Sequence, residues 1–363
     1  MRAERFRHLP SAKGPFASIY FDDSHDTADA EAQLELKWRG LREQLEAQGG
    51  RALADIIEPV LLGARPPVGR SGRGLIASRG NVLVNEHLIR PPATSVARLS
   101  DLPYLVPLVE HAVEHHTYVL VAVDHAGADI TVHRNDHDRS ESVDGGGYPV
   151  HYAHSAESRN YGDAQRTVEN AQAKNIRAVS ERLTSLVDGI KAEAVFVLGE
   201  VQSRSELIAD LPERVAERVA ELKVGARHSG HDDEVRHAID AELLLRRAAV
   251  IDVAAQRFQA GGASGLAAEG IAAVCAALRD GAVETLIMGD IGDATVVIGD
   301  GVTTVAPAAD VLSELGDAPR VVRADEALPL AAVATDANLV RIDERLAPAD
   351  GIAAVLRYAR THG

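Results

Sequence analysis

The sequence predicts an α/β protein made of three consecutive α/β domains, and three observations carry that prediction. Short apolar runs of strand length alternate with longer segments whose apolar residues recur every three or four positions, the two periods of strand and helix. The composition shifts twice, near residue 113 after a Pro/Ser-rich stretch (PPATSVARLSDLPYLVP) and near residue 260 at GGASG, which divides the chain into 1–113, 114–260 and 261–363. At 363 residues, 46% of them apolar, there is material for two or three cores at about 150 residues per domain.

In the first part FASIYF reads as a strand, and residues 29–47 as an amphipathic helix with Leu34, Trp38, Leu41 and Leu45 at helical spacing. GLIAS and NVLVNE read as a hairpin that turns at Arg79-Gly80. In the second part TYVLVAVD and ADITVHR pair across HAG, residues 135–162 read as irregular, and a long helix runs from Asp163 to about Val187. Asp163 is its candidate N-cap, and Val168, Ile176, Val179, Leu183 and Leu186 form its stripe. The strand AVFVLGE follows, and Ser203-x-x-Glu206 fits a capping box opening the next helix. Residues 232–259 read as a charged helix with Ile239, Leu243, Ala249 and Val253 inward. The third part gives a helix over 265–279, strands at ETLIM and ATVVI, an acidic turn-rich stretch over 306–329, a strand at AAVAT and a closing helix over 350–360. No repeat of fixed period is visible.

The net charge is −16, unevenly spread. Residues 1–113 hold 14 basic and 14 acidic side chains, 114–260 hold 17 and 25, and 261–363 hold 7 and 15. A polyanion surface must then be local, and the best stretch runs from Arg65 to Arg98, with Arg65, Arg70, Arg73, Arg79, Arg90 and Arg98 against Glu86 alone. PPVGRSGRG holds too much Pro and Gly for regular structure, so its arginines are expected on a loop. There the planar guanidinium fork suits phosphate oxygens. A lone cysteine, Cys275, excludes an internal disulfide and a Cys-rich metal centre and fits a reducing compartment. No apolar run approaches the roughly 20 residues of a bilayer span, and the opening MRAERFRHLPSAKGPF has no apolar signal core. A cytoplasmic protein is expected, with neither membrane nor DNA as partner.

Several chemistries lack their signatures. There is no Gly-x-Ser-x-Gly elbow, no phosphate loop ending Gly-Lys-Ser/Thr, and no Gly-x-Gly-x-x-Gly after a strand, so no cofactor is expected. His111 and His115 lie four apart, and His228, His231 and His237 share an Asp-rich segment. Such spacing without converging second partners defines no zinc site, and no metal is expected. Asp22-Asp23-Ser24-His25-Asp26 follows a strand, where catalytic carboxylates sit, though the same residues serve as turn formers and helix caps.

The middle and last parts carry a family resemblance. TYVLVAVDHAGADITVHR, an irregular excursion, then YGDAQRTVENAQAKNIRAVSERL and AVFVLGE resemble the central domain of the archaeal and eukaryotic release-factor and Pelota superfamily. There a strand pair leads into a long loop and the loop into a long helix. GGASGLAAEGIAAVCAALRDGAVETLIM resembles the start of that superfamily's C-terminal domain, with Gly281 to Leu286 matching its helix-to-strand turn residue for residue. Together with FASIYFDDSHDT, the chain is similar to the bacterial branch, which includes Balon-type ribosome hibernation factors.

The resemblance implies a cytoplasmic, tRNA-shaped factor in the A site of the 70S ribosome, touching 16S and 23S rRNA, with elongation factor Tu as a partner. The Arg loop (Arg65, Arg70, Arg73, Arg79) would face the decoding centre, and the acidic last domain a basic ribosomal protein or a partner. Release factors carry Gly-Gly-Gln at the tip of the central loop. Here Gly145-Gly146-Gly147 is followed by Tyr148, and Gln165 follows Ala164. Without an amide to position water, binding without catalysis is expected. The loop keeps an RNA-binding palette of His151, Tyr152, His154, Arg159, Asn160 and Tyr161, with Gly162 turning the chain into the helix. The alternatives are a Pelota-like rescue factor, an RNA-cleaving enzyme using a metal on Asp22, Asp23 and Asp26, and a scaffold unrelated to ribosomes.

Overall fold

The computed structural model describes residues 3–63, 69–112, 117–134, 137–144, 161–224, 232–316, 318–342 and 346–359; over 161–169, and at His137 and Asp232, it describes the backbone alone. Two 3-10 turns (Ala3–Phe6 and Leu9–Ser11) lead into β1 (Phe16–Asp22), α1 (Ala30–Ala47) and α2 (Arg51–Leu62). Then come β2 (Gly72–Ser78), β3 (Asn81–Leu88), β4 (Val96–Ser100) and α3 (Val106–His111). The strands form an antiparallel sheet in the order β3-β2-β1-β4. Alternation along β1 decides what each face meets. Ala17, Ile19 and Phe21 pack with Leu34, Trp38, Leu41 and Leu45 of α1 and with Ile57 and Leu61 of α2. Phe16 and Tyr20 face the other way, into a second core. The expected strand, helix and hairpin are present, and α2, β4 and α3 are additional to them.

The middle of the chain is a mixed sheet with helices on both faces. β5 (Tyr118–Val123), β6 (Gly127–Arg134) and β7 (His137–Asp144) meander, and α4 (Tyr161–Ile190) crosses over to β8 (Ala194–Gly199). α5 (Val201–Asp210), α6 (Glu213–Ala216) and β9 (Val219–Glu221) complete the order β7-β6-β5-β8-β9, in which β5, β8 and β9 run parallel. Val119, Val121 and Val123 pack under Ile176, Val179, Leu183 and Val187 of α4. Part of the stretch expected to be irregular is therefore β7. Its HDRSESVD lacks apolar alternation because it is an edge strand that needs none. α4 begins at Tyr161, so Asp163 lies inside its first turn rather than at its cap. α5 begins at Val201, so Ser203 is within the helix and the capping box does not form.

Gly199 closes β8 at φ 122°, and a Cβ there would lie 1.9 Å from the Val123 carbonyl oxygen. Gly199→Ala is therefore expected to destabilise the protein by about 3 kcal/mol. Urea unfolding of the purified variant measures this, and a loss under about 1 kcal/mol would contradict the close approach of β5 and β8.

α7 (Asp232–Gly261) serves two cores. Ile239 and Leu243 pack on the middle sheet, whereas Ile251, Ala254 and Phe258 join a cluster with Ile287 and Val355. Ala249 and Val253, expected inward, are exposed (Val253 52%), because the buried stripe changes face between the two cores. The last part contains β10 (Ala267–Glu269), α8 (Gly270–Arg279), β11 (Val283–Met288), β12 (Thr295–Ile298) and β13 (Val305–Ala306). It closes with α9 (Ala309–Glu314), β14 (Arg320–Arg323), α10 (Ala324–Ala334), β15 (Asn338–Arg341) and β16 (Ile352–Leu356). They form the sheets β10-β16-β11-β15 and β13-β12-β14. Four expectations change here. The helix of 265–279 starts at Gly270, after β10; the stretch 306–329 holds α9, β14 and the start of α10; AAVAT is the end of α10; and IAAVL is β16, not a helix. Both misread runs are buried on all sides, so neither shows a diagnostic period.

The chain divides into two compact units, residues 1–114 with 249–363, and residues 115–248. The residues of the first and third expected domains share one core. In it Phe6, Leu9, Phe16 and Tyr20 pack with Leu328, Leu330 and Ala331 of α10. Among the described residues no helix is long and apolar enough to cross a membrane.

Candidate functional site

The connection expected to bind RNA joins β7 to α4. His151, Tyr152, His154, Arg159 and Asn160 lie outside the described residues, and Tyr161 and Gly162 open α4 as backbone. Both anchors are well defined. β7 ends where Asp144 pairs with Gly127, at which a Cβ would lie 2.1 Å from the Val143 carbonyl oxygen. Arg182 of α4 makes a bidentate pair with Glu141 of β7 (2.5 and 2.7 Å), and its hydrogen bonds hold the Glu141 carboxyl below the usual range. Asn175 donates to the His125 carbonyl in the β5–β6 turn (3.1 Å). Residues 161–174 thus add about 21 Å of helix ahead of that level, at 1.5 Å per residue.

The arginines of the first part separate. Arg65 lies outside the described residues, Arg70 is exposed, and Arg79 sits at φ 31° in the β2–β3 turn with its Nε donating to the Gly14 carbonyl (2.8 Å). Arg73 requires a correction. It belongs to β2, not to a loop, is 1% exposed, and cannot reach a phosphate in this fold. Its Nε donates to Asn85 Oδ1 (2.9 Å), and its two Nη groups donate to the Leu61 and Val60 carbonyls at the end of α2 (3.2 Å each). The glycines around it permit a close approach: a Cβ on Gly74 would lie 2.8 Å from the Tyr20 ring. Arg98 is also committed internally, to Asp325 (3.2 Å) and Glu326 (3.0 Å). Two of the six arginines read as a basic excess from 65 to 98, Arg73 and Arg98, are thus interior wiring, which a charge count along a sequence cannot show.

The carboxylates after β1 do not converge. Asp22 accepts from the Ser24 amide (2.9 Å) and pairs with Lys37 (3.4 Å), and Asp26 is exposed. Asp23 is fully buried, 3.8 Å from both Arg73 Nη1 and His25 Nδ1, with neither oxygen hydrogen-bonded. Burial pushes the Asp23 carboxyl up against the pull of Arg73. Among the described residues no group of three His, Cys, Asp or Glu side chains is arranged to hold a metal ion. His115, His228 and His231 lie outside the described residues, and His111 accepts from Arg90 Nε (3.4 Å) while its Nε2 faces Glu110 (3.2 Å). Burial pushes the Cys275 thiol up to about 12, so it holds no thiolate at neutral pH.

Comparison with known proteins points the same way as the sequence. The model of Bacterial archaeo-eukaryotic release factor family 2 matches residues 117–264, which span β5 to α7 and the connection between β7 and α4. Two Mycobacterium tuberculosis proteins, Uncharacterized protein Rv2629 of strain H37Rv and Uncharacterized protein MT2704 of strain CDC 1551, are each 53% identical over 367 residues. Each match covers 100% of this chain and 98% of the relative. The chain is also similar to archaeal Pelota in a model of ribosome-bound Pelota and ABCE1 (13% identity, TM-score 0.39, covering 99% of this chain and 94% of that one). Archaeoglobus fulgidus Pelota gives 12% identity and a TM-score of 0.35, covering 98% and 91%. The chain belongs to one family with the two mycobacterial proteins, and its residues 117–264 match the bacterial archaeo-eukaryotic release factor family 2.

Proposed function

We propose that the protein is a ribosome-associated translation factor of the hibernation type, which occupies the A site and does not hydrolyse peptidyl-tRNA. The observation that carries this reading lies in the sequence: between Asp144 and Tyr161, where the resemblance would put the release-factor catalytic loop, there is no Gly-Gly-Gln. Family membership supports the ribosome as partner. The long α4, braced by the Arg182–Glu141 pair, suits delivery of that connection into a deep RNA pocket, where His, Tyr, Arg and Asn side chains stack on unpaired bases and bond their edges. Delivery by elongation factor Tu is the corresponding partnership. Asp22, Asp23 and Asp26 point to three different surroundings, so metal-assisted RNA cleavage has no support from this end of β1.

The test is co-sedimentation with 70S ribosomes, beside a peptide-release assay on a termination complex. The protein is expected to pellet with ribosomes and to release no peptide at saturation. Failure to pellet would end the ribosomal reading, and release lost on mutating Gln165 would end the non-catalytic one.

A further inference from the structure

Most arginines of this acidic chain answer a carboxylate: Arg7 binds Asp336, Arg42 binds Glu58, Arg214 binds Asp188 and Arg257 binds Glu284. Arg70 does not. It is exposed and makes no hydrogen bond or ion pair with any described residue. Two residues on, Gly72 is pressed by the chain leaving β3: a Cβ there would lie 3.0 Å from the Arg90 carbonyl oxygen and 2.9 Å from Pro92. The backbone two residues from Arg70 therefore abuts that of Arg90 at one end of the first sheet, and both arginines are exposed. Like charges so placed repel unless an anion lies between them.

We propose that Arg70 and Arg90, exposed at the end of the sheet where Gly72 abuts the Arg90 carbonyl, form a subsite for the phosphodiester backbone of RNA. Arg90 is pre-oriented for it. Its Nε donates to His111 Nδ1 (3.4 Å), which fixes one edge of the guanidinium. Glu110, the nearby carboxylate, is shared among His111 (3.2 Å), Arg341 (3.7 Å) and the Coulomb attraction of Arg90, so it answers Arg90 only in part. Asp22 answers Lys37, and Asp26 stands in solvent.

The subsite deepens the ribosomal reading and rests on it for its biological partner, so the test separates the two. Wild type and R70A/R90A are titrated with labelled oligouridylate and, separately, with 70S ribosomes, across about 50–200 mM KCl. Losing two single-strand phosphate contacts lowers the salt slope by about 1.4 and weakens oligouridylate binding about 25-fold at 0.1 M salt. R70K/R90K keeps both charges and is expected to recover the slope, which a lost structural role would not. Wild type that binds no oligouridylate, or R70A/R90A with unchanged affinity and slope, overturns the subsite even if the protein still pellets with ribosomes. Wild type that binds oligouridylate through the two arginines yet fails to pellet with ribosomes overturns the ribosomal reading and leaves the subsite standing.

Discussion

Arg98→Ala is expected to cost about 3–5 kcal/mol at pH 8 and clearly less at pH 5. Arg98 lies 3.8 Å over the Tyr104 ring and holds two carboxylates, Asp325 (7% exposed) and Glu326 (2% exposed), at the start of α10. Asp325 retains Arg323 at 2.9 Å when Arg98 is removed, but among the described residues Glu326 has no other hydrogen bond to a basic residue. Burial already pushes the Glu326 carboxyl up, against the pull of Arg98. A carboxyl whose folded pKa is raised binds its proton more readily in the folded state, so its contribution is most favourable at low pH and declines as pH rises through the folded value. Removing Arg98 removes the pull and raises that value further. The deficit of the variant must therefore shrink as the pH falls. Urea unfolding at the two pH values measures it, and an equal loss at both would show that Glu326 is not the group left uncompensated.

The second large effect is expected at Arg73. Arg73→Met keeps the volume but removes the donors to Asn85, Leu61 and Val60 and leaves Asp23 without its cation, a combined loss of about 3–5 kcal/mol. Adding Asp23→Asn to that variant removes the stranded charge, so the double variant is expected to be more stable than R73M alone. Unfolding of wild type, both single variants and the double variant forms a cycle whose coupling reads the pair directly. If R73M costs less than about 1 kcal/mol, Arg73 is not interior and the exposed-loop reading of PPVGRSGRG returns.

Elements with one buried face were legible in the sequence, because burial on one side is what writes a period. α1 shows this with Leu34, Trp38, Leu41 and Leu45, all buried as the spacing predicts, whereas the fully buried β2 is read from a short apolar run ending at the Arg79-Gly80 turn. α2 carries an equally clear stripe in Leu53, Ala54, Ile57 and Leu61, but Pro59 and the Gly49-Gly50 pair mask it as a turn region. Legibility failed where burial is complete or absent. α10 and β16 are apolar on every side, and β7 is polar on the edge of its sheet. The candidate site divides in the same way. Motif order identified the central connection, since it depends on neighbours in sequence. The fates of Arg73 and Arg98 depended on partners such as Asp23 and Glu326, the latter 228 positions away, which no local pattern records.

The unit built from residues 1–114 and 249–363 has a temporal consequence during synthesis. Its first sheet can cover one face early with α1 and α2, but Phe16 and Tyr20 on the other face have only residues such as Leu105 and Leu108 over them until α10 completes their core. At about 5–20 residues per second, the roughly 220 residues between β4 and α10 leave that apolar face partly uncovered for about 11–44 seconds. Residues 115–248 are complete sooner, so the nascent chain is expected to acquire its middle before its beginning. Trigger-factor-like holdases that shield exposed apolar surface would have their main substrate in that interval, on the N-terminal sheet.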